Sequence, residues 1–107
     1  MAIIAFEPDP INLSACRATQ ERHPQVNQTI VPKAVWTSTG KVPFALEKGQ
    51  RSKIDPNSML TVDAVDFSQW AIKNFVPDDY VYLKLTVEGA EIPILEKMVD
   101  DTSLALI

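Results

Sequence analysis

The 107-residue sequence holds one cysteine, Cys16, one histidine, His23, and three glycines, Gly40, Gly49 and Gly89. A single cysteine rules out an intramolecular disulfide and a Cys-x-x-Cys redox pair, and with one histidine it leaves no Cys/His zinc set. Glycines so far apart make neither a P-loop nor a complete G-x-G-x-x-G fingerprint. No apolar run approaches the roughly 20 residues of a membrane span. The apolar opening stops at Glu7, whereas a secretory leader needs a basic start and a longer apolar stretch, so no targeting segment is expected. Positive charge is scarce as well: 10 Lys and Arg face 14 Asp and Glu, for a net charge of -4. That acidic balance argues against general binding to nucleic acid or to an anionic membrane. One free thiol fits a reducing compartment, and the cytoplasm is the expected location.

What is present is globular. Hydrophobic residues make up 46% and charged residues 22% of the chain, the balance of a folded domain and not of a disordered one. The length suits one small domain over residues 1–107, or part of a larger one. Residues 2–6 form an unbroken apolar run, which predicts a strand buried on both faces, as in a parallel sheet. It begins with no turn before it, which suggests a missing upstream segment. Asp9 followed by Pro10 predicts a helix start, because an aspartate caps the free N–H groups and proline has none to lose there. That helix runs over 11–22 with Leu13, Ala15 and Cys16 inward, and His23-Pro24 stops it. Residues 29–36 read as a strand in which Pro32 marks an edge or a bulge. A turn over 37–40 returns the chain through 41–46 as a hairpin partner. The polar stretch 47–58 reads as a loop.

Residues 60–63 read as a short extended piece. Asp66 is placed to cap a second helix, with Gln69 three residues on and Val65 and Trp70 positioned as a hydrophobic staple. Phe67, Trp70, Ala71 and Phe75 share one helical stripe. Residues 80–87 carry the strongest strand signal in the chain, rich in β-branched and aromatic side chains. A third helix begins near Glu91 with Pro93 in its first turn and carries Ile94, Leu95 and Met98. Residues 100–103 break it, and 104–107 look like a further buried strand. The alternation predicts an α/β fold with a mainly parallel sheet and a β-hairpin insertion. Ligands in such sheets bind beyond the carboxyl ends of the strands, which selects Glu7 and residues 86–91.

Several segments together carry a resemblance. They are Phe6-Glu7-Pro8, residues 31–35 with Gly40 after them, and Lys84 through Glu91 in the pattern Lys-Leu-Thr-Val-Glu-Gly-Ala-Glu, with Leu95 beyond. In this order the chain resembles the FkbM family of S-adenosylmethionine-dependent methyltransferases over most of its length. The resemblance implies a Rossmann-like methyltransferase fold. It implies that Glu7 holds the ribose hydroxyls of S-adenosylmethionine, with Pro8, Ala34 and Thr86 also lining the cofactor site. A carboxylate at a strand end suits that role, since it can accept two charge-assisted hydrogen bonds from a vicinal diol. It further implies an oxygen acceptor, a hydroxyl of a sugar or small natural product, with Glu88 or Glu91 as the candidate catalytic base and no metal. Two departures stand out. The family's opening glycine-rich strand and turn, which wraps the methionine part of the donor, has no counterpart, so the domain reads as truncated. Thr86 stands where the family motif has aspartate, and threonine cannot act as a carboxylate base.

Each residue has a plainer reading too. Glu7, Glu88 and Glu91 are also acids near helix starts, where the dipole favours them. Lys84 suits snorkelling from a strand, Thr86 is a β-former, and Trp36 and Trp70 suit packing anchors. His23 is expected to be exposed, Cys16 is expected as a small core residue, and the basic stretch 48–53 as a solvated loop. The alternative function is a non-catalytic truncated fragment that associates with a partner, either a complementing chain or a second copy, through open sheet positions.

Overall fold

The computed structural model describes residues 2–45, 53–85, 87 and 89–107. The chain opens with a strand, helix, strand unit: β1 (Ile3–Phe6), α1 (Pro10–Arg22) and β2 (Gln28–Val31). β1 and β2 pair in parallel, Ile3 opposite Gln28 and Phe6 opposite Val31. Asp9 caps α1, its Oδ1 accepting the Ile11 N–H at 2.9 Å, and Pro10 takes the first helical position. α1 buries no residue: Leu13 and Cys16 are half-buried and Ala15 is exposed. β1 itself is not covered on both faces as its composition suggests. Ile3 and Ile4 stay about 40% exposed, and among the described residues the strand has a ladder neighbour on one side only.

Pro32 divides the next stretch into two strands that serve different sheets. After β2 the chain bends at Lys33, whose N–H returns to the Val31 carbonyl at 2.8 Å, and β3 (Ala34–Trp36) begins. A second sheet is built from β3, β4 (Gly40–Ala45), β5 (Lys53–Ile54) and β6 (Thr61–Asp66) in the order β3-β6-β4-β5. The expected hairpin between 29–36 and 41–46 is therefore replaced. β6 lies between β3 and β4, parallel to the first and antiparallel to the second, and the close hairpin-like pairing is β4 with β5. Across the described residues two strand pairings are parallel and two antiparallel, so the chain is an α/β domain with mixed sheets.

β6 runs into α2 (Phe67–Asn74), capped by Asp66, whose Oδ1 accepts the Gln69 N–H at 3.2 Å. α3 (Glu91–Asp100) follows with Pro93 near its start. Its C-terminus is closed by Thr102 in the left-handed region, φ +64°. Residues 104–107 do not form a strand; Ser103–Leu106 is a 3-10 turn that packs on α2 and α3. The main core is Val35, Phe67, Ala90, Ile94 and Met98, with Phe6, Trp70, Leu83, Leu85 and Val87 packed against it. A smaller cluster of Ala34, Val42 and Ala64 joins the strands of the second sheet.

The segment with the strongest strand signal behaves unexpectedly. Residues 80–85 form no ladder with any described residue. The alternation is there, with Val81, Leu83 and Leu85 half-buried and Tyr80, Tyr82 and Lys84 exposed. β-propensity reflects how well a side chain packs on a pleated surface, and a ladder also requires a neighbouring strand. Among the described residues no helix is long and apolar enough to cross a membrane.

Candidate functional site

Glu7 follows β1 directly, at the carboxyl end of a parallel strand. Its N–H donates to the Val31 carbonyl at 3.0 Å, which extends the β1–β2 pairing by one residue and fixes the backbone. Pro8 and the buried Asp9 lead from it into α1. The Glu7 side chain is half-buried. Burial pushes its carboxyl above the ordinary value, the Asp9 backbone N–H and the Asn12 side chain offset part of the rise, and the Asp9 carboxylate adds to it. A carboxylate short of solvent gains from donors that a ligand brings.

Phe6, the residue before Glu7, closes an aromatic group. Its ring meets Trp70 edge-on at 5.0 Å and Phe67 at 6.0 Å, while Trp70 stacks with Phe67 at 5.8 Å and meets Phe75 at 5.3 Å. Trp70 thus serves as the packing anchor expected of it. The same core receives Val87. The residue preceding Glu7 and the start of the 87–91 turn are therefore brought to one hydrophobic cluster, although they lie 81 positions apart in the chain.

That second turn is organised by Glu91. Its Oε1 accepts the Val87 N–H at 2.7 Å and its Oε2 accepts the Gly89 N–H at 2.8 Å. Gly89 sits at φ +102°, where an L side chain is strained. The observed contacts of Glu91 make it a positioning residue for the turn. Thr86 and Glu88 lie outside the described residues. Ala34 is 5% exposed and its side chain packs with Val42 and Ala64 in the second sheet's cluster, so its Cβ offers no surface to a ligand. Lys84 is exposed, as snorkelling predicts, and His23 is exposed at the end of α1.

A second polar arrangement has no counterpart in the sequence reading. Lys97 of α3 pairs with Asp66 Oδ2 and donates to the Thr37 carbonyl at 2.8 Å. Asp66 also accepts from Ser68 Oγ at 3.0 Å, and its N–H donates to Thr39 Oγ1 at 3.1 Å. Burial raises the Asp66 carboxyl, but the Lys97 ammonium, the Gln69 N–H and the Ser68 hydroxyl outweigh it and hold the group below the usual range. This clamp ties α3, the start of α2 and the turn after β3 together. Lys97 lies 31 residues from Asp66, and no local pattern announces a contact at that separation.

Among the described residues no group of three or more His, Cys, Asp or Glu side chains is gathered as metal ligands would be. A shallow depression of about 510 Å³ is lined by Ile92, Leu95, Glu96, Val99 and Asp100 of α3 and includes neither Glu7 nor Glu91. Compared with models of known families, with curated proteins and with solved structures, the chain matches none.

Proposed function

We propose that this chain is a methyltransferase-type domain of the FkbM kind, which holds S-adenosylmethionine by its ribose hydroxyls through Glu7. The observation that carries the reading is the place and state of that side chain. Glu7 stands just beyond the carboxyl end of β1 in a parallel strand, helix, strand unit, where ligands of α/β sheets bind. Its half-buried carboxylate sits above its ordinary pKa for want of solvation, so two ribose hydroxyls would replace the missing water. The fit extends to the ribose and not to Ala34, whose side chain is taken up in packing.

The donor supplies an activated methyl group, and the acceptor is a hydroxyl of a saccharide or small natural product in the cytoplasm. The chain's own residues contribute alignment, which can supply much of the acceleration in a two-reactant transfer. Glu91 holds the 87–91 turn through two backbone N–H groups, and Glu88 is the remaining candidate for taking the hydroxyl proton. Titration calorimetry with S-adenosylhomocysteine tests the reading. Binding by the native chain is expected, weakened roughly tenfold to a hundredfold in Glu7→Gln, since hydrogen bonds to a charged group contribute about 1.5–3 kcal/mol. An analogue lacking the ribose diol should bind native and variant chains alike. No heat with the native chain, or equal affinity in the variant, rejects it.

A second reading is favoured by residues 80–85, which alternate half-buried and exposed side chains and form no ladder with any described residue. In it the chain works by strand association with another polypeptide.

A further inference from the structure

The apolar arc of α3 is wider than the core it meets. Ile94 and Met98 are buried, but Ile92, Leu95 and Val99 stay 66%, 37% and 60% exposed. Those three stand at i, i+3 and i+7, so they share one outward stripe beside the buried one. Glu96 and Asp100, one helical turn apart, run as a row along its far edge, and the five residues together line the depression on this helix. Neither acid makes a hydrogen bond or an ion pair with any described residue. The one cation of α3 is committed elsewhere, since Lys97 holds Asp66 and the Thr37 carbonyl. Asp100 also stands last in the helix, where the dipole disfavours an acid. An exposed apolar stripe thus lies beside two uncompensated negative charges, one of them at a position that helix formation does not favour.

We propose that this face of α3 docks a basic amphipathic helix of a partner protein. Apolar side chains of the partner cover Ile92, Leu95 and Val99, and Lys or Arg side chains one turn apart meet Glu96 and Asp100. Recognition between an amphipathic helix and an apolar surface uses anchors at this spacing, and charges at the edge of such a contact fix register and exclude wrong partners. Charge also selects the occupant. An antiparallel α3 of a second copy would lay one acid row beside the other, and like charges so placed oppose association. A helix that lies on an anionic membrane carries cations along its polar edge, where α3 carries acids. A partner with cations there is the occupant that the row of Glu96 and Asp100 fits. The surface is independent of donor binding and of strand association at residues 80–85.

Fluorescence anisotropy on the full chain tests it with two synthetic helical peptides. Both carry leucine along one face; one has lysine along the edge of that face, and the other has glutamate in the same places. The native chain is expected to bind the lysine peptide saturably, one to one, and the glutamate peptide roughly tenfold or more weakly. Ile92→Ser combined with Val99→Ser removes apolar anchors without changing charge and should weaken the lysine peptide roughly tenfold or more. Glu96→Lys combined with Asp100→Lys should transfer the preference to the glutamate peptide. All four positions are exposed, so far-UV circular dichroism should match the native chain in both variants. No saturable binding of the lysine peptide overturns the proposal, as does equal binding of the two peptides, affinity indifferent to the serine pair, or a preference that survives charge reversal. Sedimentation velocity covers the remaining occupant. A native dimer that the serine pair dissociates would show this face covered by a second copy and overturn the proposal as well.

Discussion

Glu7 and Asp66 are both carboxylates at the end of a strand, and their surroundings push them in opposite directions. At Glu7, burial dominates and the charged form is disfavoured. At Asp66, burial is outweighed by an ammonium and two hydrogen-bond donors. The consequences for stability have opposite signs. A carboxyl raised in the folded state weakens the fold when ionised, and the penalty fades as pH falls through its folded value towards 4.5. Glu7→Gln should therefore melt above the native chain at pH 7 and converge with it near pH 4.5. Asp66 contributes stability above pH 3.8 that is lost as pH falls through its lower folded value. Asp66→Asn keeps a capping side chain but should lower the melting temperature at pH 7 and flatten the loss of stability below about pH 4. Lys97→Met tests the same clamp from the other side. It removes an ion pair and a hydrogen bond to the Thr37 carbonyl and should cost about 2 kcal/mol in urea unfolding.

The helices were the most legible elements, because their signals are local. Asp9-Pro10, Asp66 with Gln69, and Glu91 with Pro93 each mark a start within a few residues, and each helix begins where they place it. Strand pairing was far less legible. Pro32 was visible as an interruption, yet nothing local says that β2 and β3 join different sheets or that β6 slips between β3 and β4. Residues 104–107 carry the apolar pattern of a strand and form a tight turn instead, packed on α2 and α3. Of the candidate site, Glu7 was readable from its position after an apolar run, and Glu91 from its motif. The role Glu91 has here, gathering the Val87 and Gly89 N–H groups, was not. At this scale the buried face of α3 supplies two of the main core's buried residues. Ile94 is 1% and Met98 0% exposed, and Met98→Ala should cost about 3 kcal/mol. With a domain's stability commonly near 5–15 kcal/mol, Ile94→Ala and Met98→Ala combined should leave no cooperative melt.

The molecule as a whole joins a parallel strand, helix, strand unit to a mixed four-stranded sheet through one core, into which Phe6 of β1, Phe67 and Trp70 of α2 and Ile94 and Met98 of α3 all pack. Glu7 depends on that arrangement, because Phe6 anchors the strand end against the aromatic group of α2. The proposed donor site would accordingly be coupled to folding of the entire chain, and the most direct measurement is a thermal melt of the full chain with and without saturating S-adenosylhomocysteine. At about 100 times its dissociation constant a ligand specific for the folded state adds roughly 2.7 kcal/mol, which for a domain of this size raises the melting temperature by roughly 10 °C or more. The account predicts that rise in the native chain and its loss in Glu7→Ala. A cooperative melt that the ligand does not move, or a rise that Glu7→Ala retains in full, would contradict it.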